Sequence, residues 1–452
     1  MKIFFLQKKY DRFLMSYYNN YGYNSRNSRP SDNNDAVSDP LVTCLMEDNP
    51  KTFQSLLAKD SRYVIDSSHA TFNLFHSREQ EQNNTIKIKP TGQTIMHLIA
   101  FHDSIQVLLY YIKMHKKQLE AKNYEIFELK NGEEYNPLHM AIYGGSLAVA
   151  SLILKYRPDL AKIEIPHHHQ YLSLAAFSGS PLLIDLLFAH GVDPNSRLNT
   201  LVDKEFPLPM TIAIEHKDIN CIRALIKGNL HSKNQTNASP VIYAINQNYY
   251  DAVPLLLESG ESPDAVNPQK VIGQQNVYEC PLSAACFCGE PAINAIRAIV
   301  SKIPGDLMPN TKNDLTGGPA HWISQSTSLR IATILAQRKF DPNFADSRKR
   351  SPIYNLLDRN IPLDTILGIL NIFLKQGLDI NRESDAAMPV PPIMEVLKAS
   401  SEKYQEDILK WFAQNGVDPG IKVDPAGHTL REIVKRKKRY YKIFKDFWPA
   451  EE

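Results

Sequence analysis

Apolar positions recur at i, i+3 and i+4 in short bursts along most of this chain. Each burst is closed by glycine or a polar turn before a second burst begins. That rhythm predicts pairs of short amphipathic helices and an all-α fold. The clearest pair lies in EYNPLHMAIYGGSLAVASLILK, Glu134 to Lys155. Asn136 is placed to cap a helix and Pro137 to occupy its first turn, where a missing N–H costs nothing. Leu138, Ala141 and Ile142 form an inward stripe, and the small Ala141 lets a neighbouring helix come close. Gly144-Gly145 ends the helix, because glycine tolerates positive φ. A second helix starts near Ser146, with Leu147, Val149, Ala150, Leu152, Ile153 and Leu154 as its apolar set.

Blurred copies follow down the chain. Thr94-Ile95-Met96-His97-Leu98-Ile99-Ala100 is one. Tyr171-Leu172-Ser173-Leu174-Ala175-Ala176 with Gly179 is another, and it leads into Leu186-Leu187 and Gly191-Val192-Asp193-Pro194-Asn195. Others begin at Pro209, Pro240, Pro281, Pro319 and Pro352, with weaker ones near Pro392 and Thr429. They recur at irregular intervals of about 31 to 42 residues, so insertions fall between units.

The phased series resembles the ankyrin repeat family, whose unit reads TPLHxA, a glycine, a second helix ending in LL, then G-x-D-x-N and has about 33 residues. The resemblance implies a solenoid of stacked helix–turn–helix units, about nine or ten in number. It also implies structural capping by His97, His139 and His321, and turn stabilisation by Asn195, Asn343 and Asn381. It makes Asn195, preceded by Leu186-Leu187, a candidate for asparaginyl hydroxylation.

The flanks divide the chain further. Residues 1–38 are polar and turn-rich after a short helical stretch. Residues 39–90 read as a degenerate first repeat followed by a polar insertion. In the first part Leu41, Cys44, Leu45, Phe53, Leu56 and Leu57 are the apolar positions. An F-box-like module is the rival reading of that segment. Repeats occupy 91–426, with insertions at 116–132 and 263–278 that are expected to extend loops on one side. A capping repeat over 427–452 turns inward through Leu430, Ile433 and Val434.

Composition changes this picture little. The chain has 452 residues with net charge +2, so no global field favours nucleic acid. Five cysteines at this length are no disulfide framework, and a reducing compartment is expected. The apolar run in MKIFFLQKKY is too short for a secretory signal, and no stretch is long enough for a membrane span. The expected location is cytoplasmic.

Residues that break the repeat pattern are the candidates for chemistry. Cys280, Cys286 and Cys288 lack the paired spacing of a zinc site, and Cys286 stands where repeats put a small core residue. A cysteine-hydrolase-like activity would need a histidine partner for one of these thiols. His167-His168-His169 is a short polyhistidine tract in a loop. No phosphate-binding loop is present. Lys435, Arg436, Lys437, Lys438 and Arg439 match a basic nuclear-import patch.

The residues therefore favour a non-enzymatic scaffold with no cofactor or metal, binding a protein on the concave face made by first helices and hairpins. Candidate contacts are Tyr135, His167, His168, Tyr171, Arg197, Phe206, Tyr278, Phe287 and His321. The many insertions and the Asn- and Lys-rich style resemble bacterial ankyrin effectors of the Legionella and Coxiella type. That likeness implies a eukaryotic host protein as partner, in host cytosol or nucleus.

Overall fold

The computed structural model describes residues 40–59, 93–132, 134–163, 171–193, 208–229, 239–265, 267–272, 275–307, 317–345, 351–357, 361–382, 391–398, 404–424 and 426–448. The N-terminal segment, the 66–90 insertion and Asn195 lie outside them.

The described residues fall into two compact units that divide near residue 210. The first holds α1 (Pro40–Met46) with α2 (Pro50–Lys59), α3 (Ile95–Phe101) with α4 (Ile105–Met114), and a short α5 (Lys116–Ala121). It continues with α6 (Pro137–Gly144) paired to α7 (Leu147–Tyr156), and α8 (Tyr171–Ser178) paired to α9 (Pro181–Ala189). In the second unit come α10 (Pro209–Glu215) with α11 (Ile219–Lys227), α12 (Pro240–Asn246) with α13 (Ala252–Glu258), and an antiparallel ribbon of β1 (Asn267–Ile272) and β2 (Gln275–Glu279). The pairs then resume: α14 (Pro281–Cys288) with α15 (Ile293–Lys302), α16 (Pro319–Ser326) with α17 (Leu329–Leu335), and α18 (Pro352–Leu357) with α19 (Leu363–Lys375). Last are α20 (Ile393–Lys398) with α21 (Gln405–Gln414) and α22 (Leu430–Arg436) with α23 (Lys438–Phe444). All but α5 are paired, so the described residues hold eleven helix pairs, terminal ones included.

Within each unit, first helices pack on first helices and second on second. Thus α3 lies against α6 and α6 against α8, while α4 lies against α7 and α7 against α9. In the second unit α14, α16 and α18 succeed one another, as do α13, α15, α17 and α19. No pair buries its apolar face alone, so each gains its core from its neighbour.

The local code works as the sequence predicts. Asn136 Oδ1 accepts the His139 N–H at 3.1 Å, Pro137 follows, and Gly145 closes α6 at φ 74°. Leu138, Ala141 and Ile142 are fully buried. Gly144 is needed for a different reason. A Cβ there would stand 2.3 Å from the Phe101 carbonyl oxygen, so only glycine lets α6 sit this close to α3.

The histidine position is structural. In His97, Nδ1 accepts the Thr94 N–H at 3.2 Å and Nε2 reaches the Tyr135 carbonyl at 2.8 Å, tying one pair to the next. Turn aspartates cap the following pair: Asp48 accepts the Gln106 and Val107 N–H groups, and Asp103 accepts that of Val149. Ser104 and Ser146 hydroxyls donate to the Leu45 and Phe101 carbonyls of the preceding pair.

The two insertions differ from loose loops. Residues 116–132 fold as α5 and a 3-10 turn at Glu125–Phe127, with Leu119 and Phe127 buried. Tyr124 stacks on Tyr156 at 4.3 Å, and the buried Arg157 guanidinium ties Glu128, Asp159 and the Asn123 carbonyl together. The stretch is thus pinned to α7 by one cation and one stacked pair. The second insertion contains the β1–β2 ribbon.

Candidate partner-binding surface

The last turn of several first helices lies beyond their fully buried positions. In the first unit this register holds Phe101, Tyr143 and Phe177, on α3, α6 and α8. All three are half-buried. The Phe101 and Tyr143 rings lie 5.9 Å apart, and Tyr143 stacks on Phe177 at 5.5 Å with planes 6° apart. They form one continuous aromatic stripe across three helix pairs. The second unit places Glu215, Asn246 and Phe287 at the same register. Glu215 accepts from the Tyr243 hydroxyl, and Phe287 is 78% exposed, the highest among the large apolar side chains described.

Of the candidate contacts, Phe287 alone is described and exposed. Three others are corrections. Tyr135 is buried: its N–H donates to Asn131 Oδ1 at 2.9 Å and its ring lies 5.4 Å from that of His139. Tyr171 is buried too, its hydroxyl donating to the Leu160 carbonyl at 3.1 Å and its ring 4.7 Å from His139. Burial pushes its phenol pKa up. His321 is only 1% exposed, with Nδ1 accepting the Gly318 N–H at 3.2 Å. These side chains sit where the chain turns into a first helix, and packing between pairs draws them inward. His167, His168, Arg197 and Phe206 lie outside the described residues. Tyr278 belongs to β2, whose side chains are likewise outside the description.

The thiols have been given core and capping work. Cys280 is the N-cap of α14, its Sγ accepting the Ser283 N–H at 3.4 Å. Cys286 has no exposed surface, and burial pushes its thiol well above the ordinary range. Such a thiol is a poor nucleophile at neutral pH. Among the described residues no three His, Cys, Asp or Glu side chains gather as metal ligands, and no helix is long and apolar enough to cross a membrane. Lys435 to Arg439 are exposed at the α22–α23 turn.

Sequence reasoning missed the aromatic stripe. Its signal was available, since Phe101, Tyr143, Phe177 and Phe287 share one register of the repeat.

Comparison with known proteins matches part of the chain to one family. The family described as ankyrin repeats matches residues 172–267 in three copies. B-cell lymphoma 3 protein of Homo sapiens is similar over 140 residues at 28% identity, covering 29% of this chain and 30% of that protein. Its Mus musculus homologue is 28% identical over 141 residues, with the same coverage. The match spans under a third of these relatives' length. Both are mammalian, so they lend no support to a bacterial effector origin. Two solved structures are also similar: the human ASB11 ankyrin repeat domain (16% identity, TM-score 0.34, 64% of this chain and 99% of that one) and the ankyrin repeat domain of Bcl-3 (16%, 0.37, 62% and 99%). Residues 172–267 therefore carry the ankyrin repeat pattern.

Proposed function

We propose that this ankyrin-repeat chain is a non-enzymatic scaffold that binds a protein partner through the last turns of its first helices. One observation carries this reading: an aromatic stripe of Phe101, Tyr143 and Phe177 at one register of successive helices, with Phe287 exposed at the same register in the second unit. Stacked rings on a rigid frame lose little conformational freedom on binding, and aromatic side chains dominate interface energetics.

The finer notion of a eukaryotic host protein, met in host cytosol or nucleus, rests on the insertion-rich style of the repeats. The basic run Lys435–Arg439 is what favours the nucleus. For Asn195, hydroxylation rests on the family pattern alone.

The test is affinity capture from eukaryotic lysate with the full chain, beside Tyr143→Ala and Phe287→Ala variants whose helicity and melting are first matched to the parent. A partner held by the parent and lost by either variant supports the reading. Equal retention by both variants removes the stripe from the binding site.

A further inference from the structure

We propose that the terminal hairpin α22–α23 is a docking surface for anionic phospholipid membranes, separate from the aromatic stripe and independent of it. Of the chain's 51 basic and 49 acidic side chains, eight and two fall within residues 431–447, which leaves the remainder at net −4. A solvated capping face needs no such segregation, since mixed signs serve solubility equally well. Here the charge is concentrated on one hairpin of a chain that is otherwise acidic.

The hairpin sorts its side chains by face. Tyr440 and Phe444, one turn apart on α23, are buried and fix the helix. Tyr440 also donates its hydroxyl to Gln405 Oε1 at 2.6 Å. On the opposite face Lys438, Tyr441, Lys442 and Lys445 are all exposed. Arg436, Lys438, Lys442 and Lys445 form no ion pair or hydrogen bond with another described side chain. By contrast, Arg439 is held by Glu406 and Arg431 lies over the Trp448 ring. Of the two carboxylates in the stretch, Glu432 is spent on the α22 cap, accepting the Thr429 N–H at 2.8 Å, and Asp446 is exposed beyond α23.

Two exposed aromatics accompany the free cations. Tyr441 is 37% exposed within the lysine face, and Phe447 is 47% exposed just beyond α23. Lysines flanking exposed rings match an anionic interface, where headgroups take the cations and rings settle at headgroup depth. The same pattern fits nucleic acid less well, because single-strand binders stack bases along a groove, whereas these cations and rings lie along one short helix and its end.

Each lysine near an anionic bilayer is worth about five-fold in partition. The full chain is therefore sedimented with phosphatidylcholine vesicles, with and without phosphatidylserine, beside two variants. One is the triple variant Lys438→Gln/Lys442→Gln/Lys445→Gln. The other is Tyr441→Ser/Phe447→Ser. All these positions are exposed, and circular dichroism verifies that both variants keep the parent's helicity. The expected result is binding to phosphatidylserine vesicles alone, on the order of 100-fold weaker for the triple variant and measurably weaker for the aromatic variant at unchanged charge. Equal binding of parent and triple variant, or no binding to phosphatidylserine vesicles, overturns the proposal. So does duplex DNA displacing the vesicles while the aromatic variant binds them as the parent does, which would assign the hairpin to nucleic acid.

Discussion

The side-chain amide of Asn343 donates to the Gly377 carbonyl at 2.8 Å, while its Oδ1 accepts the Asp379 N–H at 2.7 Å. Asn381 repeats the arrangement one pair later, reaching the Gly416 carbonyl at 3.2 Å and the Asp418 N–H at 2.8 Å. Each asparagine closes the turn after its own second helix and ties it to the equivalent turn of the next pair. The G-x-D-x-N ending is therefore a coupling between repeats as much as a local turn.

Replacing either asparagine with alanine removes two such bonds at a site water can reach. The expected cost is about 1 kcal/mol for each variant. Urea unfolding followed by circular dichroism checks it. If the coupling runs between pairs, the transition should also broaden, because stability in a stack is the sum of unit and interface terms. A sharp transition at an unshifted midpoint would mean the bonds are redundant.

Gly144 makes a second, steric prediction. An added methyl would meet the Phe101 carbonyl oxygen at 2.3 Å, and neither backbone can move freely because Ser146 Oγ also holds that carbonyl at 3.0 Å. Gly144→Ala should cost about 1–3 kcal/mol through overpacking, despite alanine's better helix propensity. A neutral or stabilising result would show that α3 and α6 separate without penalty.

The thiols give a third expectation. Cys44, Cys221, Cys280 and Cys286 are buried and Cys288 is half-buried. A thiol reagent at neutral pH should therefore titrate Cys288 quickly in the folded chain and the other four only after denaturation. Rapid modification of Cys286, with a histidine-like pKa in its rate profile, would instead reopen the hydrolase reading.

Much of this was legible in the residues. Asn136, Pro137 and Gly145 announce α6 because caps and turns are set by local chemistry. Of the inward positions of the terminal repeat, Leu430 and Val434 are buried as the spacing predicts, while Ile433 is half-buried. The binding surface was less legible. Tyr135 and Tyr171 stand in variable segments that sequence treats as exposed, yet both side chains fold under the neighbouring pair. Phe101, Tyr143 and Phe177 continue the apolar runs of their helices, so periodicity reads them as core. The order of residues 116–132 was hidden for another reason. Its lysines and glutamates look solvated, and its anchor, Arg157, stands at the end of a different helix.

Protonation of His97 supplies the last prediction. Burial lowers its pKa from 6.5 to about 4, a shift that its bond to the Tyr135 carbonyl only partly opposes. Burial holds His102 near the same value. The neutral ring is also what the geometry requires, since Nδ1 must accept the Thr94 N–H. Between pH 6.5 and about 4 the unfolded chain binds protons that the folded chain does not. Stability is thus complete above the unfolded pKa, falls as pH drops through this window, and levels off below it. Each histidine contributes a slope of at most about 1.4 kcal/mol per pH unit. The urea midpoint of the first unit should accordingly fall between pH 7 and pH 4.5, and His97→Asn, though less stable at neutral pH, should show a shallower fall. An equal slope in parent and variant would mean that His97 is protonated in the folded chain, which would break its bond from Thr94.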